Sequence, residues 1–236
     1  MCGSVACAQF NTTAQSARSG ALGGSFIVGE ERGMELSYLS RYLLPELAEK
    51  RISLFSPLGK RGYAECNYMH HGATDYHEQQ LSASYRIAAT DWLAVGVGAR
   101  YLHLGVDDVH YQSCQYVAAD AVMLLSAGKR TSFRLLAGTR PWDDAHPFRG
   151  SMQMTYRPGM NLMTLLSVES EERVRMRMGL EYSYDHFLFL RAGMYTAPLT
   201  ATFGVGVRWK NVSCDIAAEA HSVLGISPQT TLLLWF

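Results

Sequence analysis

Between Arg173 and Tyr184 the chain changes character at every residue, and this excludes a helix there. Arg173, Arg175, Arg177, Gly179, Glu181 and Ser183 alternate with Val174, Met176, Met178, Leu180, Tyr182 and Tyr184. A helix would scatter the three arginines around its circumference, whereas a strand sets them all on one face. The same period of two recurs from residue 34 onward. Leu199, Ala201, Phe203, Val205, Val207 and Trp209 alternate with Thr200, Thr202, Gly204, Gly206 and Arg208. Val212, Cys214, Ile216, Ala218 and Ala220 alternate with Ser213, Asp215, Ala217, Glu219 and His221. Ala89-Thr90-Asp91, Arg157-Pro158-Gly159, Asp185-His186 and Lys210-Asn211 punctuate the runs as turns. The pattern predicts about fourteen antiparallel strands, the last over 228–236, in one all-β domain spanning residues 34–236.

Composition decides how such a sheet closes. Hydrophobic residues make up 48% and charged residues 18%, with Lys+Arg and Asp+Glu balanced at 21 each. That balance points away from nucleic acid as a partner. No apolar run reaches the roughly 18 residues that a spanning helix needs. A chain of this kind can cross lipid only as a closed barrel, because hydrocarbon leaves unpaired backbone groups unsatisfied. The expectation is a closed antiparallel transmembrane β-barrel in a bacterial outer membrane, its apolar face toward lipid. A soluble β protein, with the apolar face turned inward, is the competing fold.

Two features favour lipid outside. The polar face is dense in mixed charge, which a wide lumen can hold as hydrated pairs. Its predicted members are Arg86, Arg100, Arg134, Arg157, Glu169, Arg173, Arg175, Arg177, Glu181, Arg191, Arg208, Asp215 and Glu219, with Glu65 and Glu78. Aromatic residues also gather at strand ends, as interfacial girdles require. Tyr85, Trp92, Tyr156, Tyr182, Tyr184, Phe187, Trp209 and Phe236 mark one end; Tyr42, Tyr68, Tyr101 and Tyr195 mark the other.

The ends of the chain carry signals of their own. Ala6-Cys7-Ala8 has the small-x-small form of a signal-peptidase site, so residues 1–8 are read as the remnant of a signal peptide whose basic and apolar parts lie upstream. Residues 9–33 form a separate N-terminal segment. Leu232, Leu234 and Phe236 make an apolar C-terminal strand face of the kind the barrel-assembly machinery reads. The five cysteines show no CxxC spacing.

Chemistry-bearing motifs are sparse. Gly96-x-Gly98 and Gly204-x-Gly206 lack a third glycine and open no helix, and no GxSxG, HExxH or Walker sequence occurs. Neither catalytic residues nor a cofactor are expected. Three outer loops concentrate imidazole and carboxylate: His70, His71, Asp75 and His77; His103, Asp107, Asp108 and His110; Asp143, Asp144 and His146. Such groups suit zinc or a similar ion, with His70, His71, His77, His110 and His146 as candidate ligands; solvated polar loops are the simpler reading.

Four stretches carry a family resemblance. Thr13-Ala14-Gln15-Ser16-Ala17-Arg18-Ser19-Gly20-Ala21-Leu22-Gly23-Gly24-Ser25 resembles the opening of the PorV/PorQ-like proteins, FadL-type outer-membrane barrels of Bacteroidetes. Ser40-Arg41-Tyr42-Leu43-Leu44-Pro45-Glu46-Leu47 resembles their first outer hairpin, and Leu188-Phe189-Leu190-Arg191-Ala192-Gly193 a later strand. His221-Ser222-Val223-Leu224-Gly225-Ile226-Ser227-Pro228-Gln229 resembles their closing hairpin. The chain departs from the family between residues 26 and 33, where an Asn-Pro-Ala-Gly-like stretch is absent. The resemblance implies an N-terminal lumen plug and two functions. The first is a scaffold or accessory subunit of an outer-membrane complex, as in type IX secretion, with other outer-membrane proteins as partners. Short loops and a shortened plug favour it. The second is a passive channel for small or hydrophobic solutes.

Overall fold

A computed structural model describes residues 16–25, 31–73, 76–106 and 113–236. The signal-peptidase reading at Ala6-Cys7-Ala8 lies outside these residues. The strands are β1 (Gly33–Ser40), β2 (Ala48–Leu58), β3 (Gly62–Gly72), β4 (Tyr76–Ala88), β5 (Leu93–Val106), β6 (Cys114–Ala127) and β7 (Thr131–Thr139). They continue as β8 (Phe148–Tyr156), β9 (Leu162–Ser170), β10 (Val174–Tyr184), β11 (Leu188–Tyr195), β12 (Thr200–Trp209), β13 (Val212–His221) and β14 (Gly225–Trp235). Each pairs antiparallel with its sequence neighbours, and β1 pairs with β14 to close the barrel. Closure leaves no sheet edge, which is what lets strands cross lipid.

The turn chemistry is local. Asp185 and His186 both adopt positive φ (49° and 53°), and the Phe187 N–H donates to the Tyr184 carbonyl at 3.1 Å. Two left-handed residues in succession give the hairpin turn whose twist matches the flanking strands. Short turns such as 185–187 and 210–211 share one end of the barrel with the start of β1 and the end of β14, while longer connections such as 41–47 and 140–147 occupy the other. Outer-membrane barrels keep short turns on the periplasmic side and longer loops outside, so the end bearing Phe236 is the inner end.

Burial assigns the faces. Met176, Met178, Leu180 and Tyr182 of β10 are exposed, whereas Arg177, Glu181 and Ser183 are buried. Met178 is 53% exposed and its neighbour Arg177 8%. A water-soluble barrel would show the opposite order. The apolar set therefore faces hydrocarbon and the ionic set faces the lumen.

Two sequence-level expectations are corrected. The last strand begins at Gly225 rather than 228, with Pro228 inside it opposite Ala218. The ladder from β14 to β1 ends at Gln229. Pro228 thus has a strand on one side only, and its missing N–H removes no bond to β1. The second concerns Tyr195. Its hydroxyl donates to Glu219 at 3.3 Å inside the lumen, because it shares the face of Arg191. Tyr38, Tyr68 and Tyr101 point outward instead, near the outer ends of β1, β3 and β5.

Candidate functional site

The described part of the resemblance-bearing opening segment lies inside the barrel. Residues 16–25 include a short helix, α1 (Ala17–Ala21), started by Ser16, whose side chain accepts the Ser19 N–H. Ala17, Ser19, Gly20 and Ala21 are all buried against β11 to β14. Small residues on the helix meet small residues on the wall. A Cβ at Gly193 would lie 2.6 Å from the Gly23 nitrogen, and one at Gly204 2.5 Å from the Ala21 Cβ. These inward glycines create the groove in which the segment is seated.

Polar contacts fix it there. The Ala17 N–H donates to Thr231 Oγ1 (2.8 Å) and the Gly23 N–H to Thr202 Oγ1 (3.1 Å), while the Thr202 hydroxyl donates to the Ala21 carbonyl (2.9 Å). Arg177 Nη1 donates to the Gly24 carbonyl at 2.6 Å. Arg18 grips Glu181 with two bonds, at 2.8 and 2.6 Å. Glu181 also accepts from Arg191 at 2.7 Å, and Arg191 pairs with Asp215. One chain of alternating charge thus runs from the segment into the wall. Removing one member of a buried pair strands its partner, at a cost of about 3–5 kcal/mol. Arg191→Met is expected to lower the urea midpoint of the vesicle-inserted protein accordingly; an unchanged midpoint would show the pair to be dispensable.

Most of the predicted lumenal charges face inward. Arg100 bonds Asp120 at 2.7 Å, and Arg149 reaches the same carboxylate at 2.9 Å. Arg177 pairs with Glu169, and Arg86 stacks on the Tyr63 ring with its Cζ 4.5 Å from the centroid. Arg134 and Glu219 are lumenal, Arg175 stands opposite Glu169 in register, and Arg208 reaches Glu31 at 3.3 Å. Arg173 lies instead on the exposed turn before β10, whereas Arg157, on an inner turn, lines the cavity at the inner end. Sequence reading passed over Arg18, Glu49, Arg51, Asp120 and Arg149. Asp120 sits among alanines on both faces of β6, so alternation there carries little contrast.

The pleat divides the histidines. His70 and His77 face outward, their rings stacked at 6.0 Å, with His103 6.0 Å beyond His77. His71 faces inward opposite Glu78. Adjacent strand residues point to opposite faces, so His70 and His71 cannot share one ion. His146 sits on the 140–147 connection, 3.4 Å from Asp143, and His110 lies outside the described residues. Among the described residues no group of three or more ligating side chains could hold a metal.

Near the outer end the polarity of the wall inverts. Lys50, His70, Gln79 and His103 form an outward row in register across β2 to β5, while Leu102, Leu104 and Ala118 are fully buried inside. Val106, Cys114, Tyr116 and Trp142 pack against them, Trp142 contributed by the loop after β7. The Trp142 ring meets Tyr116 edge-on at 6.3 Å, and the Arg100 Cζ lies 5.6 Å from the Trp142 centroid. The outer mouth therefore has an apolar inner wall directly above the Arg100–Asp120–Arg149 cluster. At the inner end a cavity of about 530 Å³ opens beneath β3 to β9.

The closed barrel, the lipid-facing apolar belt and the occupied lumen define an outer-membrane β-barrel. No family model and no curated protein matches the chain by sequence. Solved structures do match in fold. The toluene transporter TbuX of Ralstonia pickettii is similar with a TM-score of 0.66 and 11% identity, over 95% of this chain and 98% of that one. The toluene transporter TodX of Pseudomonas putida gives 0.63 and 10% identity, over 94% and 96%. A FadL homologue of Pseudomonas aeruginosa gives 0.63 and 9%, over 86% and 89%. The structural likeness is thus to FadL-type barrels and carries no sign of PorV/PorQ proteins or of Bacteroidetes.

Proposed function

We propose that the chain is a FadL-like passive channel for small hydrophobic solutes. The apolar inner wall at the outer mouth carries this reading. A lumen that served only to hold the barrel closed would be polar throughout, whereas half-buried Tyr116 and Trp142, packed over the fully buried Leu102 and Leu104, offer an apolar solute a first resting place. The structures similar in fold, two of them toluene transporters, support the same direction. The scaffold reading drawn from the PorV/PorQ resemblance has no comparable feature behind it. We keep Leu232, Leu234 and Phe236 as the strand face read by the barrel-assembly machinery during insertion.

Uptake by intact cells tests the proposal, because an outer membrane resists hydrophobic solutes. Cells making the protein should take up toluene several-fold faster than cells without it. Trp142→Ala should lower that gain, and Leu102→Glu should remove it while leaving insertion measurable by surface labelling. Uptake equal to that of control cells would refute the channel.

A further inference from the structure

The lipid-facing side of the wall carries ionisable groups in one place. Of the outward strand positions, only Lys50, His70, His77 and His103 are Lys, Arg, His, Asp or Glu, and they fall on the neighbouring strands β2 to β5. On β10 to β14 the same face stays uncharged to its outer end, at Val174, Met194, Ala201, Ala220 and Ile226. No acid balances the patch from these strands. Glu49 and Glu78 turn inward and are buried, Glu49 against Arg51, while Glu46 stands on the exposed 41–47 connection. The patch is also ordered. Lys50 stands opposite His70 in register, and the His77 ring lies between those of His70 and His103, 6.0 Å from each. Gly105 makes this possible, since a Cβ there would lie 2.4 Å from His77 Nε2. The Lys50 and His77 side chains make no hydrogen bond or ion pair among the described residues, and His103 Nδ1 is buried without a partner.

We propose that Lys50, His70, His77 and His103 bind the phosphate headgroup of a lipid in the outer leaflet. Depth carries the first half of the argument. Interfacial tyrosines mark the headgroup level. Lys50 is level with Tyr38 in register, and His70 and His103 each stand two residues beyond an outward tyrosine, Tyr68 and Tyr101. Side chains at this height on the outer face meet headgroups, neither hydrocarbon nor lumen. Chemistry carries the second half. An ammonium binds phosphate oxygens as a point charge, and imidazole N–H groups add hydrogen bonds that become charge-assisted on protonation. A free anion held by half-exposed side chains in water would gain little. A lipid gains more, because its chains run down the apolar face beneath the patch, over Ile52 and Leu81. The site is separate from the lumen, so it stands whatever solute the barrel passes.

Native mass spectrometry of the whole protein in a non-ionic detergent tests this, with phosphatidylglycerol and phosphatidylcholine of identical chains added in equal amounts. Each carries one phosphodiester, and only the second covers it with a cation of its own. The intact chain should retain phosphatidylglycerol about tenfold over phosphatidylcholine, and Lys50→Gln should cut that preference about fivefold. His70→Gln, His77→Gln and His103→Gln together should cut it further. All four side chains lie on the outside of the wall, so the barrel should fold as before, which far-ultraviolet circular dichroism verifies. Adding Val174→Lys to Lys50→Gln restores the net charge on the opposite wall and should not restore the preference. Inorganic phosphate in large excess should leave the lipid bound. Equal retention of the two lipids by the intact chain would overturn the proposal. So would a preference that survives all four Gln substitutions or returns with Val174→Lys, and displacement by inorganic phosphate would make the patch a site for soluble anions instead.

Discussion

Deleting residues 16–25 should turn a nearly silent barrel into a conducting one. In planar bilayers the intact chain is expected to pass little steady current, because the segment fills the lumen beside β11 to β14 and is bonded to Thr202, Thr231, Arg177 and Glu181. Barrels of about eight strands are filled by their own side chains, and those of about sixteen leave an aqueous channel. Fourteen strands fall between these limits, so what occupies the interior decides. Without the segment, discrete conductance steps should appear in most insertions. A smaller change should have the same effect for a different reason. Gly193→Val places a side chain where the Gly23 backbone now sits, and Arg18→Glu sets two carboxylates face to face at Glu181. Both should raise open probability with the segment still present. If the deleted form stays silent, something other than residues 16–25 closes the lumen. If the intact chain already conducts as strongly, the segment does not obstruct flow.

How much of this could be read from the residues depends on where lipid sets the rule. Through the middle of the wall, hydrocarbon on one side and water on the other enforce strict alternation. There the faces of β10, β12 and β13 follow directly from the order of Met178, Phe203 and Ile216 against Arg177, Thr202 and Asp215. Beyond the outer tyrosines hydrocarbon no longer sorts the residues. Leu102 and Leu104 turn inward with His103 outward, so polarity gives the wrong face although the period is unbroken. The signal was present in the continuation of the Gly96, Gly98, Arg100 face into Leu102, Leu104 and Val106, and register would have found it where composition did not. Tyr195 was misplaced for a related reason: an aromatic near a strand end suits a girdle, but parity with Arg191 and Gly193 places it inside. The seat of the opening segment was beyond reach. It depends on Gly179, Gly193 and Gly204 converging from three strands, and no local pattern links them to residues 17–23.

The lipid-facing assignment makes its largest energetic claim at the centre of β10. Met178→Arg places a guanidinium in hydrocarbon and should cost about 2–4 kcal/mol, whereas Val174→Arg, at the outer end of the same face, should cost about 0–1. Both residues are exposed, and both stand on the same side of the strand. Burial in a protein core cannot therefore explain a difference between them; only depth in the membrane can. Ile216→Arg, outward on β13 opposite Val205 and Thr230, should resemble Met178→Arg. Urea unfolding from lipid vesicles gives each value as a shift in free energy. A soluble barrel, with these side chains already in water, would lose almost nothing at any of the three positions. Equal and small costs would therefore place water where the structure requires lipid, whereas a cost that rises toward Met178 and Ile216 follows from a charge moved into hydrocarbon.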